Sequence, residues 1–111
     1  MTRPVQTYSF HLIVGEDFEL PCDIAAREGA AFTISSASII IYDNDGNVAL
    51  TEKTDADGDF TMDNTNDRLL YQLDVNSADF EEGYYGVRWK WTDSTGQVMW
   101  EWFRVHVITV P

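Results

Sequence analysis

Apolar and polar residues alternate through most of this chain. The longest alternation is Glu82-Gly83-Tyr84-Tyr85-Gly86-Val87-Arg88-Trp89-Lys90-Trp91, resumed over residues 97–110 after the polar turn Thr92-Asp93-Ser94-Thr95-Gly96. Two β-branched and aromatic runs around a short connector predict a β-hairpin. A strand turns alternate side chains to opposite faces. Tyr85, Val87, Trp89 and Trp91 therefore share one face with Met99, Phe103, Val105 and Val107, Glu101 being the exception. Tyr84, Gly86, Arg88 and Lys90 share the other with Val98, Trp100, Trp102, Arg104 and His106. The first face is core-like and the second mixed, as in an antiparallel pair with one side wet.

The same period recurs upstream. Residues 5–14 predict a strand with Tyr8, Phe10, Leu12 and Val14 on one face. After a turn at Gly15-Glu16, Phe18, Leu20, Cys22 and Ile24 alternate with Asp17, Glu19, Pro21 and Asp23. Pro21 cannot donate a ladder hydrogen bond, which places that strand at an edge or a bend. Residues 25–32 show neither period and are read as a loop or a short helical turn. Residues 36–42 are nearly continuously apolar, with Ala37, Ile39 and Ile41 on one side and Ile40 and Tyr42 on the other, a pattern that suits a strand covered on both faces. Residues 47–54 form a weaker strand with Val48 and Leu50. Phe60 and Met62 interrupt a polar stretch, and residues 68–75 resume the alternation with Leu69, Tyr71, Leu73 and Val75 inward. Residues 76–82 are a connector in which Ser77 is the expected cap and Phe80 tucks under. About seven or eight short strands with regularly spaced turn signals predict an all-β, immunoglobulin-like antiparallel sandwich, one domain over residues 1–111.

Composition narrows the function. The 111 residues suffice for one core, and 44% hydrophobic content marks a globular chain. Acids outnumber bases 19 to 7, for a net charge of −12, which disfavours nucleic acid and anionic membrane as partners. No run approaches the ~20 apolar residues of a membrane helix. Cys22 is the single cysteine, so no intrachain disulfide forms. It is read as a buried apolar residue, and a cytosolic site of folding is expected. A chain that opens on Met1 without a signal peptide and closes on a final strand is expected to be complete.

Candidate chemistry is sparse. Two Asp-rich turns, Asp43-Asn44-Asp45-Gly46 and Asp55-Ala56-Asp57-Gly58-Asp59, offer oxygen ligands of the kind calcium takes. The twelfth positions of EF-hand loops begun at Asp43 and Asp55 are Thr54 and Asn66, not the required glutamate. Aspartate and glycine also favour tight turns for backbone reasons alone, so no cofactor is assigned. His11 and His106 lie in strands without a flanking catalytic motif, and no nucleophile-elbow, zinc or phosphate-loop spacing occurs; the chain is read as a non-enzyme. The remaining signal is the mixed hairpin face. Tyr84, Arg88, Trp100, Trp102 and Arg104 combine aromatic area with guanidinium groups, the mixture enriched at protein interfaces. Its competing assignments are cover by another part of the chain and a carbohydrate-binding platform, with or without calcium. The hairpin also concentrates basic residues in an acidic chain, which suits ordered, head-to-tail assembly with like or unlike neighbours.

Glu81-Glu82-Gly83-Tyr84-Tyr85 resembles the acidic-x-Gly-x-Tyr corner before the penultimate strand of immunoglobulin-like sandwiches, with Tyr85 as the corner tyrosine. Val87 stands where an antibody domain has its second cysteine, and residues 36–42 lack the core tryptophan, so the chain is not of antibody type. The order Gly15-to-Leu20, Ile34-Ser35-Ser36-Ala37-Ser38-Ile39, Tyr42-Asp43-Asn44-Asp45-Gly46, Gly83-to-Tyr85 and Phe103-Arg104-Val105-His106-Val107 resembles small immunoglobulin-like domains of tailed-bacteriophage virion proteins. The resemblance covers nearly the whole chain from Gly15. It implies a structural or adaptor subunit of the virion, assembled in the host cytoplasm, with other virion proteins or further copies of itself as partners. It does not choose among head, neck, tail and baseplate.

Overall fold

The structure, a computed structural model, describes residues 9–24 and 33–109. Eight strands follow one another: β1 (Ser9–Ile13), β2 (Asp17–Asp23), β3 (Ile34–Asp43), β4 (Val48–Thr54), β5 (Phe60–Asp63), β6 (Arg68–Asp74), β7 (Gly83–Asp93) and β8 (Val98–Ile108). They form a five-stranded sheet, β1-β8-β7-β3-β4, and a three-stranded sheet, β2-β6-β5. Every pairing is antiparallel except that of β1 with β8. The sequence expectations for the side chains of Tyr8 and Phe10 and for residues 25–32 lie outside what is described.

One core fills the space between the sheets. The inward residues of β7 and β8 (Tyr85, Val87, Trp89, Trp91, Phe103, Val105, Val107) meet Leu20 and Cys22 of β2 and Leu69, Tyr71 and Leu73 of β6. Trp89, fully buried, sits at the centre with Phe60 edge-on at 5.8 Å. An antibody domain places its core tryptophan on the third strand. Here Ile39 occupies that strand, and Trp89 stands directly opposite it on β7. Burying a ring of this size contributes several kcal/mol, about 25 cal/mol per Å² of area removed from water. Glu101 keeps the register of its strand and is only 4% exposed on the core side.

Three local features differ from the sequence expectation. Phe60 and Met62 belong to a real strand, β5, because Phe60 pairs with Tyr71 of β6 and is nearly buried. Asn76, not Ser77, caps the turn after β6: its Oδ1 accepts from the Asp79 amide at 2.9 Å, and its carbonyl accepts from the Phe80 amide at 3.0 Å. Phe80 is buried as expected. Strand β3 is covered fully on one side only, since Ile40 and Tyr42 are half-buried. Pro21 lies on β2, an edge strand, where its missing N–H costs no ladder bond.

The chain crosses from the three-stranded to the five-stranded sheet between β6 and β7, and the crossing is pinned at Tyr85. Its hydroxyl donates to the Glu81 carbonyl and accepts from the Glu81 amide, both at 2.8 Å. Gly83, at φ 150°, makes the bend between them, a conformation that side chains with a Cβ rarely adopt. This is the corner that the acidic-x-Gly-x-Tyr sequence implied.

Candidate interaction face

The outer surface of the five-stranded sheet carries all five residues singled out above. Register places them. In the β7–β8 ladder Tyr84 faces His106, Gly86 faces Arg104, Arg88 faces Trp102, and Lys90 faces Trp100. Trp100, Trp102 and Tyr84 are 45%, 47% and 45% exposed. Among the described residues no strand packs over them.

The side chains form a continuous strip in which cations lie over rings. The Arg88 guanidinium is 4.7 Å from the centre of the Trp100 ring and 5.6 Å from that of Tyr42. The Lys90 ammonium is 5.1 Å from the Trp100 ring, and the Arg104 guanidinium 4.4 Å from that of Tyr84. Tyr84 also stacks on His106 at 4.4 Å and 14°, and His106 meets His11 of β1 edge-on at 5.6 Å. Tyr42 of β3 leans against Trp102 at 6.0 Å. Each cation over a ring contributes about 0.5–1 kcal/mol at exposed sites. Among the described residues none of Arg88, Lys90 and Arg104 has a carboxylate partner; the ion pair seen, Arg68 with Asp23 at 3.1 Å, lies on the other sheet. The Arg88 Nε is buried with no acceptor.

His106 lies on the strip as its parity in the sequence implied, and Tyr42 and His11 join it although sequence reasoning did not place them there. Tyr42 and His11 come from β3 and β1, strands whose neighbours only the sheet order reveals. At one end of the strip Tyr42, Tyr84, Trp102 and Arg104 line a cavity of about 410 Å³. Gly86 also lines it, and a Cβ there would make ordinary contact with the Trp102 ring, at 3.9 Å.

The acidic turns have a structural occupation. Asp43 Oδ1 accepts from the Asp45 and Asn47 amides, Asp57 Oδ2 from the Thr54 amide, and Asp55 Oδ1 from the Ala37 amide on the neighbouring strand. Carboxylates committed to closing turns are not converged on a common point, and among the described residues no cluster of three metal-ligating side chains occurs. Asp63 works in the same way. The Asn66 side-chain amide, then the Asn66 and Thr65 backbone amides, hold its carboxyl below the usual aspartate range.

No protein-family model matches the sequence, and no curated protein matches it. Solved structures match in fold. CopC from Methylosinus trichosporium OB3b is 17% identical with a TM-score of 0.57, over 93% of this chain and 86% of that one. A VGSC beta subunit, studied for multimeric cell-adhesive interactions, is 15% identical with a TM-score of 0.51, over 97% of this chain and 98% of that one. A fibronectin(III)-like module of CbhA from Clostridium thermocellum is 13% identical with a TM-score of 0.49, over 99% and 96% of the two chains. At such identities the likeness is one of fold: the chain is an immunoglobulin-like β-sandwich.

Proposed function

We propose that this sandwich is a protein-binding module that buries the outer face of its five-stranded sheet against a neighbouring protein, and that its setting is a tailed-phage particle, as a structural or adaptor subunit. One observation carries the binding reading. In a chain of net charge −12, three cations and a strip of exposed rings lie together, and among the described residues no carboxylate is within ion-pair distance of those cations. Rigid aromatic and arginine side chains contribute most of the energy of typical interfaces. The phage setting is supported by the order and spacing of the sequence motifs from Gly15 to Val107. A carbohydrate platform favours a row of bare ring faces, whereas of the three exposed rings only Trp102 has no cation over it among the described residues: the Trp100 ring has Arg88 and Lys90, and the Tyr84 ring has His106 and Arg104.

The double variant Trp100→Ala/Trp102→Ala tests the face. Both rings lie outside the core, so it is expected to keep the strand content and melt within a few degrees of the parent, yet lose partner binding or assembly in light scattering. Normal assembly of the double variant refutes the assignment. For the setting, the chain is expected to co-sediment with purified tailed particles; recovery from the soluble lysate alone refutes it.

A further inference from the structure

We infer that the occupant of this face is the acidic notch of a second copy of the chain, in a closed two-fold dimer; the inference rests on the protein-binding reading above. A partner seated at the Tyr84 end of the face must bring carboxylates, because Arg104 would otherwise be buried without counter-charge, whereas Arg88 and Lys90, further along β7, stay at the rim. The chain supplies such a surface itself. A second cavity, of about 480 Å³, is lined by Asp45, Asp79, Glu81 and Glu82. Asp79 is engaged by the Asn76 side chain at 3.0 Å. Asp45, Glu81 and Glu82 are exposed, with no ion pair among the described residues.

The notch and the aromatic groove are neighbours. Asp43, Asn44, Tyr84 and Tyr85 line both cavities, so cationic and acidic surfaces meet at Tyr84. That adjacency decides the symmetry. In a two-fold contact, residue i of one copy meets residue j of the other, and the reverse. An axis through the middle of the strip would set Arg88 against Arg88. An axis near Tyr84 sets Arg104 of each copy against Glu81 and Glu82 of the other, and makes that contact twice. Head-to-tail stacking would satisfy the same charges but leave a face open at one end and a notch open at the other. With the axis there the contact is centred on Tyr84, Trp102 and Arg104 and covers the end of the sheet face beside the notch rather than the whole face, so the pair is expected to belong to the small, weak class of interfaces. Two copies of charge −12 repel at long range, and this repulsion is screened beyond about 10 Å at 0.1 M salt. Pairing is therefore expected to be weak near 10 mM salt, strongest near 0.15 M and weaker again near 1 M.

Sedimentation equilibrium at 0.15 M salt compares the parent with Arg104→Glu, Glu82→Arg, the two combined, and Trp100→Ala/Trp102→Ala, each checked for native strand content by circular dichroism. The parent is expected to dimerise. Each single reversal is expected to weaken the dimer at least ~10-fold, and the combination to recover most of the loss, as cross-interface charge pairs do. Glu82→Arg is the decisive variant because it lowers the overall repulsion between copies: general charge effects would strengthen the dimer, whereas loss of the local pair weakens it. Glu82→Gln, which perturbs the corner less, is expected to fall between. A parent monomeric up to about 1 mM overturns the inference, as does a Glu82→Arg variant that dimerises as well as the parent. If the tryptophan variant abolishes a dimer that the charge reversals leave intact, the face remains the interface and only the acidic-notch partner is refuted.

Discussion

Replacing Tyr85 with Phe isolates the corner that joins the two sheets. The ring is retained, including its edge-on contact with Phe80 at 5.3 Å. What disappears is a hydroxyl that both donates to and accepts from the Glu81 backbone, at 2.8 Å each way. A net hydrogen bond is worth about 0.5–1.5 kcal/mol, and a part-buried backbone group left without its partner adds to the loss. Because Glu81 is exposed, water recovers some of it. The expected destabilisation is thus ~2 kcal/mol, about 10 °C in melting temperature for a chain of this size. Urea unfolding followed by tryptophan fluorescence measures it, and an unchanged denaturant slope shows that the same surface is exposed on unfolding. A loss below ~0.5 kcal/mol would refute the reasoning, because the crossover would then be held by packing alone.

Three further outcomes are expected. Burial first, then the Asp59 and Asp57 charges, raises the Tyr71 pKa; burial first, then the Glu81 and Asp43 charges, raises that of Tyr85, against the Glu81 hydrogen bond. A raised folded-state value means that the contribution to stability is full below pH ~10 and is lost as pH rises through the folded values. Denaturant midpoints should therefore fall above pH ~10, and less steeply in Tyr85→Phe; equal slopes would contradict the assignment. Asp93→Ala removes an Oδ1 that accepts from the Thr95 and Gln97 amides and the Thr95 hydroxyl at 2.9, 3.0 and 2.6 Å, so a loss of ~2 kcal/mol is expected by urea unfolding, with Asp93→Asn losing less. Phe60→Ala opens a void beside Trp89 at a short edge strand able to relax, for an expected loss of ~3 kcal/mol and a shift in Trp89 fluorescence; a loss under 1 kcal/mol would mean that β5 is not part of the core.

The hairpin was legible because a period of two needs no tertiary information. Parity alone put Trp89 and Trp91 inside and Trp100 and Trp102 outside, and the structure keeps that division. The corner was legible because its glycine and tyrosine are local requirements of one bend. Strand β5 was not: four residues with two apolar side chains carry almost no period, and what makes them a strand is pairing with β6 and contact with Trp89. The cap was misplaced by one residue because Asn76 and Ser77 are both good caps, and the position of Phe80 under the core selects between them. The five face residues were legible by parity. Tyr42 and His11 were not, because they join the strip only through the strand order.

The chemistry of the strip limits what can cover it. An exposed row of rings on a sheet face would invite indiscriminate apolar contact. Here cations lie over the rings of Trp100 and Tyr84, and a charged group gives up its hydration only at a cost. An apolar partner would gain ring area but strip water from two guanidinium groups and an ammonium without replacing it, at several kcal/mol for each charge left bare. The gain from burying two or three tryptophan and tyrosine surfaces, each about 1.5–3 kcal/mol when fully covered, does not exceed that loss. A partner that brings carboxylates to Arg88, Lys90 and Arg104 keeps the gain and avoids the loss. It also supplies an acceptor to Arg88, whose Nε is already dry. The cations therefore act chiefly as a filter: the rings provide the affinity, and the charges over them restrict it to an acidic, well-registered surface.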